Sequence, residues 1–301
     1  MRVGFIGLGA IGWPMAGTLV KAGHDVLAFD IDRERRDRFA SEFACPVASD
    51  LVAIAERDVI IIMLPTGDIV REVLLHQGDA AFRKTVRPGT LVIDMGSSDP
   101  RGTQALGAEL SKLGVELVDA PVSKRVAVFT ASGTPVARAT AIPMVIMIGG
   151  DARAVVRAKP LLADIGDTLF ETGSLGSAHA LKALNNYASA ASHVALAEAL
   201  LAGQRFGLDP KVMIDVINVS TGRSFVSEVL YKKQIDNPDF RAGFSIGLFA
   251  KDVLQAAQLA AAVGLDAPMA RLTGERWALA RDKLGAAADL TAATPAWDEN
   301  L

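Results

Sequence analysis

Residues 1–12 read Met1-Arg2-Val3-Gly4-Phe5-Ile6-Gly7-Leu8-Gly9-Ala10-Ile11-Gly12, an apolar run leading without a break into a GxGxxG loop. A GxGxxG alone occurs by chance in glycine-rich chains, so its placement carries the meaning. The run has the length and composition of a buried strand. Pro14 then suits the first turn of a helix, Met15, Leu19 and Val20 give that helix an apolar face, and Gly23 closes it. A second apolar stretch, Val26-Leu27-Ala28-Phe29, ends at Asp30, about twenty residues beyond the loop. This order specifies a dinucleotide site. Glycine lets the backbone approach a pyrophosphate, amides at the helix start point at its charge, and the acid holds the ribose hydroxyls. The competing reading is a glycine-rich turn with no ligand. Gly7, Leu8, Gly9, Ala10, Ile11, Gly12 and Asp30 are therefore the candidate cofactor residues of this segment.

Asp30 also bears on which cofactor binds. A carboxylate accepts hydrogen bonds from a free 2′-hydroxyl and repels a 2′-phosphate, so NAD is expected ahead of NADP. Arg33, Arg35 and Arg36 lie just beyond. They either offset that repulsion, leaving NADP possible, or form a solvated helix face with Glu34 and Asp37.

The whole chain has 301 residues and a net charge of -3, enough apolar content for two cores and no basic tail. That balance argues against nucleic acid as a partner. One cysteine, Cys45, forms no internal disulfide and points to a reducing compartment. With the first strand starting at Met1, a signal peptide is not expected. Runs such as Val59-Ile60-Ile61-Ile62-Met63-Leu64 are too short to span a bilayer. The expected location is the cytoplasm, away from membranes.

Up to about residue 170, apolar runs alternate with helical patterns. Strands are expected at 2–7, 25–30, 58–63, 90–94, 115–119 and 144–149, several apolar throughout, as in parallel strands covered on both faces. The first half, 1–171, is thus a doubly wound, Rossmann-type α/β domain. Its ligands belong beyond the carboxyl ends of the strands, which makes Leu64-Pro65-Thr66 and Gly96-Ser97-Ser98 expected walls of the cofactor site.

From residue 172 the character changes. Between Ala178 and about Phe206 there is no proline and one glycine, and alanine and leucine dominate. One helix of about thirty residues follows, about 45 Å long, with small residues around most of its circumference. Further helical segments are expected near 210–220, 223–236, 247–263 and 267–284, giving an all-α second domain, 172–301. The alanine-rich stretch after Gly285 is expected to fray.

On the long helix lies Lys182-Ala183-Leu184-Asn185-Asn186. Residues four apart share a helical face, so Lys182 and Asn186 project together, with Asn185 near them. A lysine desolvated near a cofactor can exchange a proton in carbonyl–alcohol interconversion while asparagine orients the substrate. The alternative is a lysine snorkelling at the domain boundary beside a structural asparagine.

Four segments together resemble the β-hydroxyacid dehydrogenases, and they run through nearly the whole chain. They are Gly4 through Gly12 with Pro14-Met15-Ala16; Asp119-Ala120-Pro121-Val122-Ser123; Gly173 through Gly176 with Lys182 and Asn185-Asn186; and Gly243-Phe244 followed by Lys251-Asp252. The resemblance implies that Lys182 is the general acid in the reducing direction. It also implies that Asn186 and Ser123 hold the substrate carboxylate or hydroxyl, and that Lys251 closes over cofactor and substrate. Leu64, Pro65 and Ser97 match positions that touch the nucleotide. Dimers or tetramers built through the helical domain are implied as well.

One segment departs from the family pattern. A glycine pair usually follows the serine, but here Ser123 precedes Lys124-Arg125, and the strand ending Gly149-Gly150 arrives about ten residues late. Either Ser123 keeps its role, the preferred alignment because Asp119-Ala120-Pro121-Val122 leads into it without a gap, or Ser132-Gly133-Thr134 replaces it after an insertion. In the first case Lys124 and Arg125 either select a substrate with additional negative charge or form a solvated turn. An insertion here could instead impair the site.

His24, His76, His179 and His193 show neither HExxH spacing nor an evident carboxylate partner, so structural roles and no metal are expected, with His179 set apart by its place three residues before Lys182. The expected activity is transfer of a hydride between NAD and a small β-hydroxy acid, of the 3-hydroxyisobutyrate kind, giving a semialdehyde or keto acid, or the reverse. Two alternatives stand beside it: an imine reductase of the same architecture, in which the lysine position is commonly altered, and a non-catalytic dinucleotide-binding scaffold.

Overall fold

A computed structural model describes residues 1–76, 82–124, 134–135 and 142–298. The chain divides into two units, Met1–Lys182 and Ala183–Leu301. In the first, strands β1 (Arg2–Ile6), β2 (Asp25–Phe29), β3 (Val59–Ile62), β4 (Leu91–Asp94) and β5 (Glu116–Asp119) pair in parallel in the order β2-β1-β3-β4-β5. Beyond β5 the sheet turns mixed. Strands β6 (Val122–Lys124), β7 (Thr134–Pro135), β8 (Ile142–Gly150) and β9 (Gly166–Gly173) follow, with β8 antiparallel to β5 and β6, and β9 parallel to β8 but antiparallel to β7.

The reason these strands form is visible in their alternation. Val3, Phe5, Val59, Ile61, Leu91, Ile93 and Val118 face one core, while Ile6, Ile60, Ile62, Val92 and Leu117 face another. Apolar residues at every position suit a strand buried on both sides. Helices α1 (Gly12–Lys21), α2 (Arg33–Phe43) and α7 (Ala152–Ile165) cover the first face through Met15, Leu19, Phe39, Ala158 and Leu162. Helices α3 (Leu51–Ala55), α4 (Gly67–Arg71), α5 (Phe82–Thr85) and α6 (Pro100–Ser111) cover the second through Ile54, Val70, Phe82 and Leu106. The first unit is therefore a doubly wound sheet, as its sequence pattern indicates.

Gly23 ends α1 as expected. Its φ is +83°, its N–H reaches the Val20 carbonyl at 3.0 Å, and the His24 N–H reaches that of Leu19 at 3.1 Å. This is a Schellman closure, in which a left-handed residue turns the chain so that two late carbonyls are satisfied.

The long helix α8 (Ser177–Phe206) starts in the first unit and continues into the second. The second unit otherwise holds α9 (Pro210–Asn218), α10 (Lys232–Asp236), α11 (Ile246–Ala262), α12 (Pro268–Leu284) and α13 (Ala293–Ala296), with a π-helical turn at Val226–Tyr231. No strand occurs among its described residues. Its core gathers Ala190, Leu200, Ile214, Phe249, Val253 and Trp277. His193 lies in this core, its ring 5.1 Å from that of Tyr231, 5.2 Å from Trp277 and 5.6 Å from Trp297. Burial in that apolar cage pushes its pKa down to about 3.

The expectation that the chain frays after Gly285 is corrected. Ala293 is fully buried, and the Trp297 indole donates to the Arg276 carbonyl at 2.7 Å. Asp289 receives the N–H groups of Ala242 at 3.1 Å and Gly243 at 2.7 Å, and the Thr291 hydroxyl at 2.7 Å. Burial opposes the charge on Asp289, but these donors outweigh it and hold its carboxyl below the ordinary value. Alanine content suggested a loose end because it does not reveal that Asp289 and Trp297 anchor the segment. Among the described residues no helix is long and apolar enough to cross a membrane.

Candidate active site

Strand register decides what meets at the carboxyl edge of the sheet. Ile6 pairs with Phe29 and Ile62, Ile62 with Asp94, and Asp94 with Asp119. The residues following these positions therefore emerge side by side: Gly7, Asp30, Met63-Leu64-Pro65, Met95-Gly96-Ser97 and Ala120. Strand order reverses between β1 and β3, which is where doubly wound sheets open a crevice for ligands.

The glycines of the loop differ in what they do. Gly7 has φ +99°, and a Cβ there would lie 2.3 Å from the Met63 carbonyl oxygen. A Cβ on Gly12 would lie 1.9 Å from the Gly7 carbonyl oxygen. Both positions exclude a side chain. Gly9 has no atom within 4 Å of its would-be Cβ, so its backbone faces open space, as close approach of a pyrophosphate requires. Next to it lies a groove of about 370 Å³ lined by Leu8, Gly9, Ala10, Trp13, Pro14, Arg35 and Arg38. These residues fit a bound dinucleotide.

Asp30 is buried, and its Oδ2 accepts the Leu8 N–H at 2.7 Å. The carboxylate expected at the ribose thus shapes the loop as well. The three arginines after it part company: Arg35 contacts both Asp30 oxygens at 3.1 and 3.2 Å, Arg36 donates to the Asp30 carbonyl at 2.6 Å, and Arg33 pairs with Asp37 at 3.6 Å in solvent. The other two loops are joined by Gly96, whose Cβ would stand 2.7 Å from the Leu64 carbonyl oxygen. Asp94, buried at the end of β4, accepts the Gly96 N–H and the Ser98 hydroxyl, each at 2.9 Å.

Asp119 does for α8 what Asp94 does for this loop. Fully buried, it accepts the N–H of Gly176 at 2.9 Å and of His179 at 2.8 Å. A carboxylate receiving amides at a helix start satisfies donors the helix cannot satisfy itself and opposes its dipole. Gly149, paired with Asp119, leaves room for this: its Cβ would sit 2.6 Å from Asp119 Oδ1 and 2.7 Å from Ser177 Oγ. Lys182 follows His179 by three residues on the same helix. Ser123 is half-buried on β6, opposite Val145. The competing serine, Ser132, and Arg125 lie outside the described residues, as does the side chain of Lys124.

In the second unit a third carboxylate organises two predicted site residues. Asp252 is buried, its Oδ2 accepts the Asn186 amide at 2.7 Å, and its Oδ1 pairs with Lys251 Nζ at 3.1 Å. Asn185 in turn donates to Asn186 Oδ1 at 3.3 Å. In the loop after α9, the Asn218 amide donates to the Ser227 carbonyl at 3.3 Å and Arg223 pairs with Glu228 at 2.7 Å.

Two corrections concern the histidines, which the sequence leaves without an evident carboxylate. His24 Nε2 lies 2.9 Å from Asp164 Oδ2, 140 positions away. His179 stands between Asp94 and Asp119, 3.9 and 4.0 Å from their oxygens. Asp94 has no role legible in the sequence, where Asp119 and Asp252 stand only as parts of motifs. One signal was present for the first two, since each is an acid that directly follows buried apolar residues at the end of a strand.

Two family models match the chain in succession. Residues 2–173 match the family described as the NAD binding domain of 6-phosphogluconate dehydrogenase, and residues 176–297 match the family described as NAD-binding of NADP-dependent 3-hydroxyisobutyrate dehydrogenase. The chain is 30% identical over 299 residues to 2-(hydroxymethyl)glutarate dehydrogenase of Eubacterium barkeri, covering 99% of this chain and 95% of that protein. It is 32% identical over 277 residues to the NAD-dependent L-serine dehydrogenase of Pseudomonas aeruginosa, covering 90% and 89%. The solved structure of Mycobacterium tuberculosis 3-hydroxyisobutyrate dehydrogenase with L-serine superposes with a TM-score of 0.82 at 30% identity, covering 98% of each chain. With its glycine loop, its mixed sheet and its helical second half, the chain belongs to the β-hydroxyacid dehydrogenase family of NAD(P)-dependent oxidoreductases.

Proposed function

We propose that the protein oxidises a small β-hydroxy acid of the 3-hydroxyisobutyrate kind to its semialdehyde or keto acid, or catalyses the reverse. NAD, when bound, takes or gives the hydride. Lys182 moves the hydroxyl proton, Asn186 and Ser123 hold the substrate's carboxylate or hydroxyl, and Lys251 closes over substrate and cofactor. The loop from Gly7 to Gly12, with Asp30, Leu64, Pro65 and Ser97, holds the nucleotide. Residues 1–171 serve as the dinucleotide domain and 172–301 as the substrate and oligomerisation domain of a cytoplasmic homodimer or homotetramer.

The observation that carries this reading is the grip of Asp252 on both Asn186 and Lys251. A buried carboxylate is costly unless it is paired and hydrogen-bonded, and by meeting both needs of Asp252 the Asn186 amide and the Lys251 ammonium are held on one carboxylate. The names of the similar proteins support the substrate class, since 3-hydroxyisobutyrate, L-serine and 2-(hydroxymethyl)glutarate all carry a hydroxyl on the carbon β to a carboxylate. A substrate panel of these compounds, read by NADH absorbance, is the test. Turnover of at least one supports the proposal, and no turnover of any hydroxy acid in either direction sinks it. Preference for the dicarboxylic member would support Lys124 and Arg125 as readers of additional negative charge.

A further inference from the structure

His179 has no assignment in this scheme, yet its surroundings are specific. Its side chain is wholly shielded from solvent. Nδ1 lies 2.8 Å from the Thr103 hydroxyl of α6, and 4.0 Å from Asp119 Oδ2 at the end of β5. Nε2 lies 3.9 Å from Asp94 Oδ2 at the end of β4 and has no hydrogen-bond partner among the described residues. An apolar side chain would fill this place without a polar atom left over, which costs about 1–3 kcal/mol. Burial at such a cost needs a compensating role.

The neighbouring carboxylates suggest which. Asp119 already fixes the start of α8 through two backbone amides close to the helix axis. A side-chain anchor farther from the axis has a longer lever arm against rotation of the helix. His179 supplies one, and it precedes Lys182 by three positions, so the two side chains lie on the same side of α8. Asp94 also holds the Gly96 N–H and the Ser98 hydroxyl. One ring therefore stands between the helix that carries Lys182 and the carboxylate that shapes the loop at Ser97.

We propose that His179 is a positioning residue for Lys182: wedged between Asp94 and Asp119 and tied to Thr103, it sets the rotation of α8 and so aims the lysine. The proposal rests on the reading of Lys182 as the proton-transfer group. Lysine has a long flexible stem, and displacement of a reacting group by about an ångström costs on the order of a hundredfold in rate. The ring therefore acts on kcat, without touching substrate or nucleotide.

The test compares His179→Leu, His179→Asn, Thr103→Val and Lys182→Ala in the full-length protein, reading kcat, KM, the dissociation constant for NAD and the melting temperature. His179→Leu should lower kcat by at least about tenfold and leave NAD affinity within about twofold, while His179→Asn, which restores a polar group near Nδ1, should recover most of the loss. Thr103→Val keeps the shape and removes the bond to Nδ1, so it should give a smaller fall in kcat and carries the test if His179→Leu does not fold. Combining His179→Leu with Lys182→Ala should be no worse than Lys182→Ala alone. Multiplied losses in the double variant, or a lowered melting temperature with unchanged kcat in the single ones, would overturn the proposal. If Lys182→Ala keeps full activity, the reading beneath it fails as well. If Lys182→Ala is inactive and His179→Leu is not impaired, only the positioning role fails.

Discussion

The Asp119 carboxylate accepts the backbone N–H of His179 at 2.8 Å, joining positions 60 residues apart. A strand end thus caps the helix that carries Lys182, and a buried anion with two amide donors is among the stronger neutral-donor arrangements available. Asp119→Asn should destabilise the protein by about 1–3 kcal/mol, since the amide presents donors to a site that offers donors. Gly149→Ala should act in the same direction by crowding that carboxylate. Thermal unfolding of the two variants checks this, and unchanged midpoints in both would contradict it.

Asp30 predicts NAD ahead of NADP by at least about tenfold, equivalent to about 1.4 kcal/mol. Arg35 neutralises part of the carboxylate, so Arg35→Ala should widen the gap. Asp30→Ala should narrow it while weakening NAD as well, because the Leu8 N–H loses its acceptor. Titration of both cofactors is the check. Equal or tighter binding of NADP to the unaltered protein would contradict the assignment.

His193 makes stability depend on pH. Its folded pKa of about 3 lies below the ordinary 6.5, so between those values the unfolded chain binds more protons and unfolding is favoured as pH falls. The stabilisation is fully present above pH 6.5. Below that the slope approaches about 1.4 kcal/mol per pH unit. Asp289, whose pKa is lowered from an ordinary 3.8, adds its loss only in more acid solution. Denaturant melts from neutral pH down to about pH 4.5 should fall less steeply in His193→Phe, the difference between the two proteins being the histidine's share. Equal slopes in the two proteins would remove His193 as the cause.

The homo-oligomer proposed above has a surface to use. On α12, Met269 and Leu272 are exposed, and on α9 so are Val212 and Val216, and covering such side chains is what a partner copy would contribute. Light scattering at micromolar concentration should give a dimer or larger. A monomer would contradict it.

How far the sequence could be read varies with the kind of information each feature needs. The six expected strands are all present because local composition suffices: Val59-Ile60-Ile61-Ile62 is apolar at every position and finds a core on each face. Strand β9 escaped because Gly166-Asp167-Thr168-Leu169-Phe170-Glu171-Thr172-Gly173 mixes charge, glycine and only two large apolar residues, and its pairing with β8 supplies what its composition lacks. Lys182 and Asn186 could be picked out as chemistry-bearing residues by type and spacing, and Lys251 only through the family resemblance. Asp94, Asp119 and Asp252 could not be given their roles, because each acts on a partner that only tertiary structure brings near.

Replacing Lys182 decides whether this side chain moves the hydroxyl proton. Lys182→Ala should lower kcat by at least about a hundredfold while leaving NAD affinity nearly unchanged, since the proposed nucleotide site is the loop from Gly7 to Gly12. Lys182→Arg should fail too, because guanidinium keeps the charge but does not release its proton near neutral pH. Unimpaired turnover of a β-hydroxy acid by the alanine variant would contradict the account.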